Sequence, residues 1–161
     1  METYKEKQKE ASGLLQLVSF KIANEEFGID ILNVQEINRM VKITQVPNSP
    51  RFVEGVINLR GRVIPVIDLR LKLGITKKEY DKDTRIIVVD LKGKTVGFLV
   101  DSVSEVLRIP KSITEAPPKI AAGINSEYIT AVGKLEDRLL ILLDLNKVLL
   151  EDEKELVETS Y

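Results

Sequence analysis

Two stretches of this chain recur in order. Gly28-x-x-Ile31-x-x-Val34-x-Glu36-Ile37-x-Arg39 matches Gly97-x-x-Val100-x-x-Val103-x-Glu105-Val106-x-Arg108 at a shift of 69 residues. Val56-x-x-Leu59-x-x-Arg62-Val63-Ile64-x-Val66-Ile67-Asp68-Leu69 matches Val132-x-x-Leu135-x-x-Arg138-Leu139-Leu140-x-Leu142-Leu143-Asp144-Leu145 at a shift of 76. Two ordered matches in 161 residues mean an internal duplication, so each half must fold into a similar small unit. The apolar residues are skewed, with 17 Val and 17 Ile against 6 Ala, and β-branched side chains in such excess favour strands. Short strands in each half are the material of a small closed barrel, and closure removes exposed edges. The expected fold is all-β with short helices: two five-stranded β-barrels and a C-terminal helix.

Local signals place the elements. Residues 1–13 have little to bury and read as a mobile arm. A hairpin follows from Leu14 to Ile29, turning at Asn24-Glu25-Glu26. Ile31 to Ile37 reads as a short helical turn running into an extended piece that ends near Met40. Phe52 to Leu59 and Arg62 to Ile67 form a hairpin around Arg60-Gly61, the glycine supplying the positive φ of a tight turn. Pro65 predicts an edge strand or a bulge. Asp68 caps Leu69 to Leu73, with Gly74 as the stop, and Thr76 to Asp83 is a charged loop. Arg85 to Leu91 and Lys94 to Val100 flank a turn at Lys92-Gly93, and Val103 to Arg108 is extended. Tyr128 to Leu135 and Arg138 to Leu143 form a last hairpin. Asp144 then caps a helix whose apolar spacing runs from Leu145 towards Val157. The expected units are a first barrel over about 14–75 and a second over about 80–150, with 151–161 as helix end and tail.

Composition excludes much chemistry. The chain has no His, Cys or Trp, which removes imidazole and thiolate catalysis, a phosphohistidine relay, zinc or haem ligation and disulfides. With 24 basic and 25 acidic residues, a net charge of −1 and few aromatics, it is not a nucleic-acid binder. No apolar run reaches the ~18 residues of a membrane span, and the expected location is the cytoplasm. Asp90, Asp101 and Glu105 cluster in sequence, but turn-capping accounts for the two aspartates and no oxyanion partner is readable. Asp81-Lys82-Asp83 is more simply a solvated loop than a metal site. Gly55 and Gly61 lead into a strand and not a helix N-terminus, so no nucleotide motif is present. Glu36 with Arg39, and Glu105 with Arg108, recur in both halves as apparent structural pairs. Arg60 stands at a hairpin tip between apolar residues, where its fork suits a carboxylate or amide edge; from pattern alone, a solvated turn is the simpler account.

The same residues carry a resemblance. Gly28, Val34-Gln35-Glu36-Ile37, Val46-Pro47 and above all Gly55-Val56-x-Asn58-Leu59-Arg60-Gly61-x-x-x-Pro65-x-x-Asp68-Leu69 resemble the CheW family of bacterial chemotaxis coupling proteins. The likeness covers most of residues 14–150, and Arg85 to Val89, Val96-Gly97, Val100-Asp101 and Asp137-Arg138 extend it into the second half. It implies SH3-like barrels that exchange C-terminal strands, no catalysis and no cofactor. It implies two partners: the cytoplasmic tips of methyl-accepting chemoreceptors, and the regulatory domain of the histidine kinase CheA, a paralogue of the same double barrel. Receptor contact is implied at Val34, Glu36, Gly55, Asn58, Arg60, Gly61, Arg85, Val103 and Val106, around a groove between barrels. Kinase contact is implied at a barrel end, placed only loosely in the second half. The isolated chain is expected to be a monomer, recruited to membrane-associated receptor arrays without inserting into the membrane. CheA itself is excluded, since a chain with no His has no phosphorylation site. A coupling paralogue from pilus-based motility is the alternative.

Overall fold

The computed structural model describes residues 13–117 and 126–149. The arm over 1–12 and the tail over 150–161 lie outside the described residues. The strands are β1 (Leu14–Ile22), β2 (Glu25–Asp30), β3 (Val34–Arg39), β4 (Val53–Leu59), β5 (Arg62–Asp68), β6 (Arg85–Leu91), β7 (Lys94–Val100), β8 (Ser102–Pro110), the two-residue β9 (Thr114–Glu115), β10 (Ile129–Lys134) and β11 (Leu139–Leu143). Two one-turn helices, α1 (Leu69–Lys72) and α2 (Leu145–Val148), and three 3-10 turns complete the described residues. It is mainly β, in two sheets.

One sheet has the order β3-β6-β7-β5-β4, the other β8-β1-β2-β11-β10-β9. Under the two sequence shifts β3, β7, β5 and β4 become β8, β2, β11 and β10, so both sheets repeat one strand order. Each contains one parallel pair at the same place, β5 with β7 and β11 with β2. The first and last strands of each order are consecutive in the chain, and the sheets curl into SH3-like barrels. In the first, the bridge between Thr44 and Val56 and the packing of Met40 and Ile43 into the interior close the curl. Neither barrel is drawn from one linear half. β3 to β7 make a middle barrel, while β1 and β2 join β8 to β11 in an outer one.

Alternation along the strands explains where the cores lie. In β6, Ile86 and Val88 point into the middle barrel, whereas Ile87 and Val89 point out of it, into a larger core shared by the barrels. β7 divides similarly, with Leu99 inward and Val96, Phe98 and Val100 outward. β1 sends Val18, Phe20 and Ile22 to the shared core and Leu17 to the outer barrel's interior. Strands buried on both faces have no polar alternate, hence the unbroken Ile86-Ile87-Val88-Val89. The space between barrels is thus mostly filled, including by the stacked pair Phe20 and Phe27.

Three local expectations change and one is narrowed. Pro65 is on an interior strand and not an edge, since β5 lies between β7 and β4, and of the two alternatives it is the bulge that stands beside it, where the register shifts between Val53 and Gly55. Val56 opposite it spends its amide and carbonyl on Thr44, so the backbone nitrogen of Pro65 faces β7, where pairing begins only at Val66. The first hairpin turns at Ala23, with φ of 55°, and Glu25 and Glu26 already belong to β2. The last helix stops at Val148, because Leu149 is extended and buried in the shared core. The outer sheet adds β9 to its five main strands.

Candidate functional site

The hairpin of β4 and β5 turns on two residues, Arg60 and Gly61, with φ of 50° and 84°. Left-handed backbone at both positions is a type I′ turn, whose twist matches that of the flanking strands. Asn58 secures it, its Oδ1 accepting the Gly61 N–H at 2.9 Å. The turn carries the Arg60 side chain, 74% exposed, beyond the strands and over to Glu36 on β3, with which it forms an ion pair. Asn38 donates from Nδ2 to the other Glu36 oxygen at 2.6 Å. Those two bonds, Arg60 foremost, hold the Glu36 carboxyl below its ordinary pKa. Two exposed apolar side chains lie close to this pair in sequence, Ile37 next to Glu36 on β3 but on the other face of the strand, and Val63 just after the turn on β5. The site offers a fixed guanidinium and a carboxylate on strands that also expose apolar side chains, which suits recognition of another protein and supplies no nucleophile or proton relay.

The structure brings together Glu36, Asn58, Arg60 and Gly61. Val34 opens β3 but is half-buried against the shared core. Gly55 is buried beneath the chain at 43–44: a Cβ there would lie 2.3 Å from the Thr44 carbonyl oxygen. Arg85 begins β6 opposite Arg39, about 10 Å along the sheet from the residue facing Glu36. Its guanidinium turns back to the carbonyls of Lys82 and Thr84. Val103 and Val106 lie on β8 in the other sheet, Val103 packed on the shared core and Val106 57% exposed.

The in-strand pairing of Glu36 with Arg39 and Glu105 with Arg108 is not what forms. Glu36 pairs with Arg60 from the hairpin tip, and Glu105 pairs with Arg138 at 3.2 Å. Arg138 also holds Asp137 and the buried Glu26, and these acids raise its pKa. Asp90 accepts the Gly93 N–H within its hairpin turn, and Asp101 accepts the Ala23 N–H and pairs with Arg70. Both aspartates are accounted for structurally. Sequence reasoning missed Asn38; it matched the duplicated apolar residues but left open which of them face out. Ile37 and Val106 are related by the shift of 69, Val63 and Leu139 by the shift of 76, and all four are exposed. The signal was present, since an apolar residue kept beside a repeated charge in both halves is readable from the repeat.

Comparison with known proteins gives one answer. A family model described as CheW-like domain matches residues 16–153. The chain is 41% identical to the chemotaxis protein CheW of Klebsiella aerogenes, over 89% of this chain and 86% of that one. It is 38% identical to CheW of Helicobacter pylori, over 91% and 94%. The crystal structure of the scaffolding protein TtCheW from Thermoanaerobacter tengcongensis superposes with a TM-score of 0.80 at 38% identity, covering 87% of this chain and 96% of that one. A family match across nearly the whole double barrel, carried by relatives at this identity, makes the chain a member of the CheW family.

Proposed function

We propose that this protein is a non-catalytic adaptor that couples methyl-accepting chemoreceptors to the histidine kinase CheA in chemotaxis. The observation that carries the reading is the Arg60 guanidinium, raised on a stiff type I′ turn and tied to Glu36, with Ile37 and Val63 exposed on the same two strands. A helical receptor tip offers apolar side chains with carboxylates and amides at its turn. Arg60 fixes the register of such a tip by charge-assisted hydrogen bonds while Ile37 and Val63 take its apolar face. Val34, Glu36, Asn58, Gly61, Arg85, Val103 and Val106 complete the receptor contact in this reading, and Gly55 supports it from below. A barrel end, read in the second half of the chain, pairs with the CheA regulatory domain. Holding both partners on one rigid body raises the effective concentration of each near the other. Among the described residues no helix is long and apolar enough to cross a membrane, so arrays recruit the chain through its receptors.

The test is co-sedimentation of the protein with CheA and receptor signalling fragments, reading kinase autophosphorylation in the same tubes. Arg60→Glu should weaken receptor binding by about tenfold or more and leave the fold intact, since exposed side chains rarely move stability by more than about 0.5 kcal/mol. Wild-type binding and kinase control in the Arg60→Glu protein would sink the reading.

A further inference from the structure

Each barrel carries a cleft between its one-turn helix and its hairpin, and duplication allows the two to be compared position by position. In the middle barrel the cleft is lined by Asp68, Arg70, Thr84 and Leu99 and is full: only about 10 Å³ remains, because Lys78, Glu79 and Tyr80 from the loop after α1 occupy it. The related positions in the outer barrel are Asp144, Asn146, Leu15 and Asp30. All four line a cleft of about 440 Å³ that no described residue fills.

Two differences within the clefts show what the open one accepts. Arg70 holds the filling loop: its Nε donates to the Thr76 carbonyl at 2.8 Å, and its Nη1 pairs with Asp101. Its counterpart Asn146 has Oδ1 buried with no hydrogen-bond partner among the described residues. In the filled cleft the Tyr80 hydroxyl is hydrogen-bonded to Glu54, and burial with that bond raises its pKa. The counterpart of Glu54 is Thr130, whose hydroxyl is already used on the Leu142 carbonyl at 3.3 Å. An occupant at this point needs no hydroxyl, and an apolar side chain fits it.

We propose that the C-terminal segment, residues 150–161, docks in the open cleft as the loop 76–84 docks in the other. The shift that relates α1 to α2 carries this loop onto residues 152–160 and sets Leu156, an apolar residue, at the place of Tyr80. It is also the chain that follows directly from Asn146 and Leu149. The arm 1–12 is the rival occupant because it leads into β1, but the shift of 69 sets Ala11 at the same place, too small to fill it.

The chain has no cysteine, so introduced pairs report cleanly. With Thr130→Cys and Leu156→Cys together, a short bifunctional thiol cross-linker should form an intramolecular link, because the related Glu54 and Tyr80 meet through the ends of their side chains and not at their Cβ atoms. The yield should be at least tenfold above that of Thr130→Cys with Ala11→Cys and should not change on dilution. A higher yield with Ala11→Cys, a concentration-dependent link between two copies, or no link in either pair overturns the proposal. Because Thr130→Cys itself disturbs β10, a second measurement uses the full chain with only Leu156→Glu. Amide hydrogen exchange around Leu15–Leu17 and Leu142–Asn146 should then quicken at least fivefold, with no change around Tyr80. Unchanged exchange at the first two segments overturns the docking.

Discussion

Glu36 accepts from Arg60 and from Asn38, and both bonds favour its ionised form. A carboxyl whose folded pKa is depressed stabilises the fold fully above its ordinary value and loses that contribution as pH falls through the folded one. Exposure keeps the pair modest, about 0.2–1 kcal/mol. Wild type should therefore exceed Glu36→Gln by this amount near neutrality. The gap should close on acidification below the ordinary glutamate range, as read from urea midpoints at a series of pH values. Asp68 behaves oppositely. Burial raises its pKa despite its capping bond to the Arg70 N–H at 3.0 Å, so its charge costs stability at neutral pH that acid returns. Taking the difference between wild type and Glu36→Gln cancels Asp68 and isolates the pair.

Closure of the middle barrel depends on one element, the segment after β3 that crosses to β4 and binds there through Thr44. Thr44 and Val56 exchange two backbone hydrogen bonds of 2.9 and 2.8 Å over Gly55, whose φ is 153°. Gly55→Ala should cost more than about 1 kcal/mol, from the positive φ and from the contact with Thr44. Amide exchange at Thr44 should rise before global unfolding; unaltered protection there would show that the crossing does not rely on the glycine. Elements of this kind were legible to different depths. Type I′ turns announce themselves as a residue followed by glycine, at Arg60-Gly61 and Lys92-Gly93, and the caps at Asp68 and Asp144 stand just before their helices. Strand partners were not legible, because period-2 alternation says which face a residue takes and never which strand lies beside it. For the same reason the partner of Glu36 was read as Arg39, three residues away, when closure supplies Arg60 from 24 residues away. The apolar spacing after Asp144 fits a long helix equally well, yet the shared core takes Leu149 in extended form and ends the helix.

At the scale of the molecule the barrels are not separable bodies. Phe98, fully buried on β7 of the middle barrel, packs with Val18, Phe20, Phe27 and Ile29 from the outer one in a single cluster. Phe98→Ala should cost about 3–5 kcal/mol, and both barrels should melt in one transition, with probes in β6 and in β11 giving the same midpoint. Two separated midpoints would show that the shared core does not couple them. The interleaved strand order also has a consequence for synthesis. A ribosome delivers β1 and β2 first, yet β1 pairs with β8 along Leu14–Lys21, a partner 81 to 96 residues downstream, whereas β3 to β7 emerge as one contiguous stretch. The middle barrel can close while its outer neighbour is still half made. The waiting hairpin has its apolar face, Val18, Phe20 and Ile22, on the side that Phe98 and its neighbours cover. The finished inner domain then acts as an intramolecular template, on which the early strands are stored until the late ones arrive.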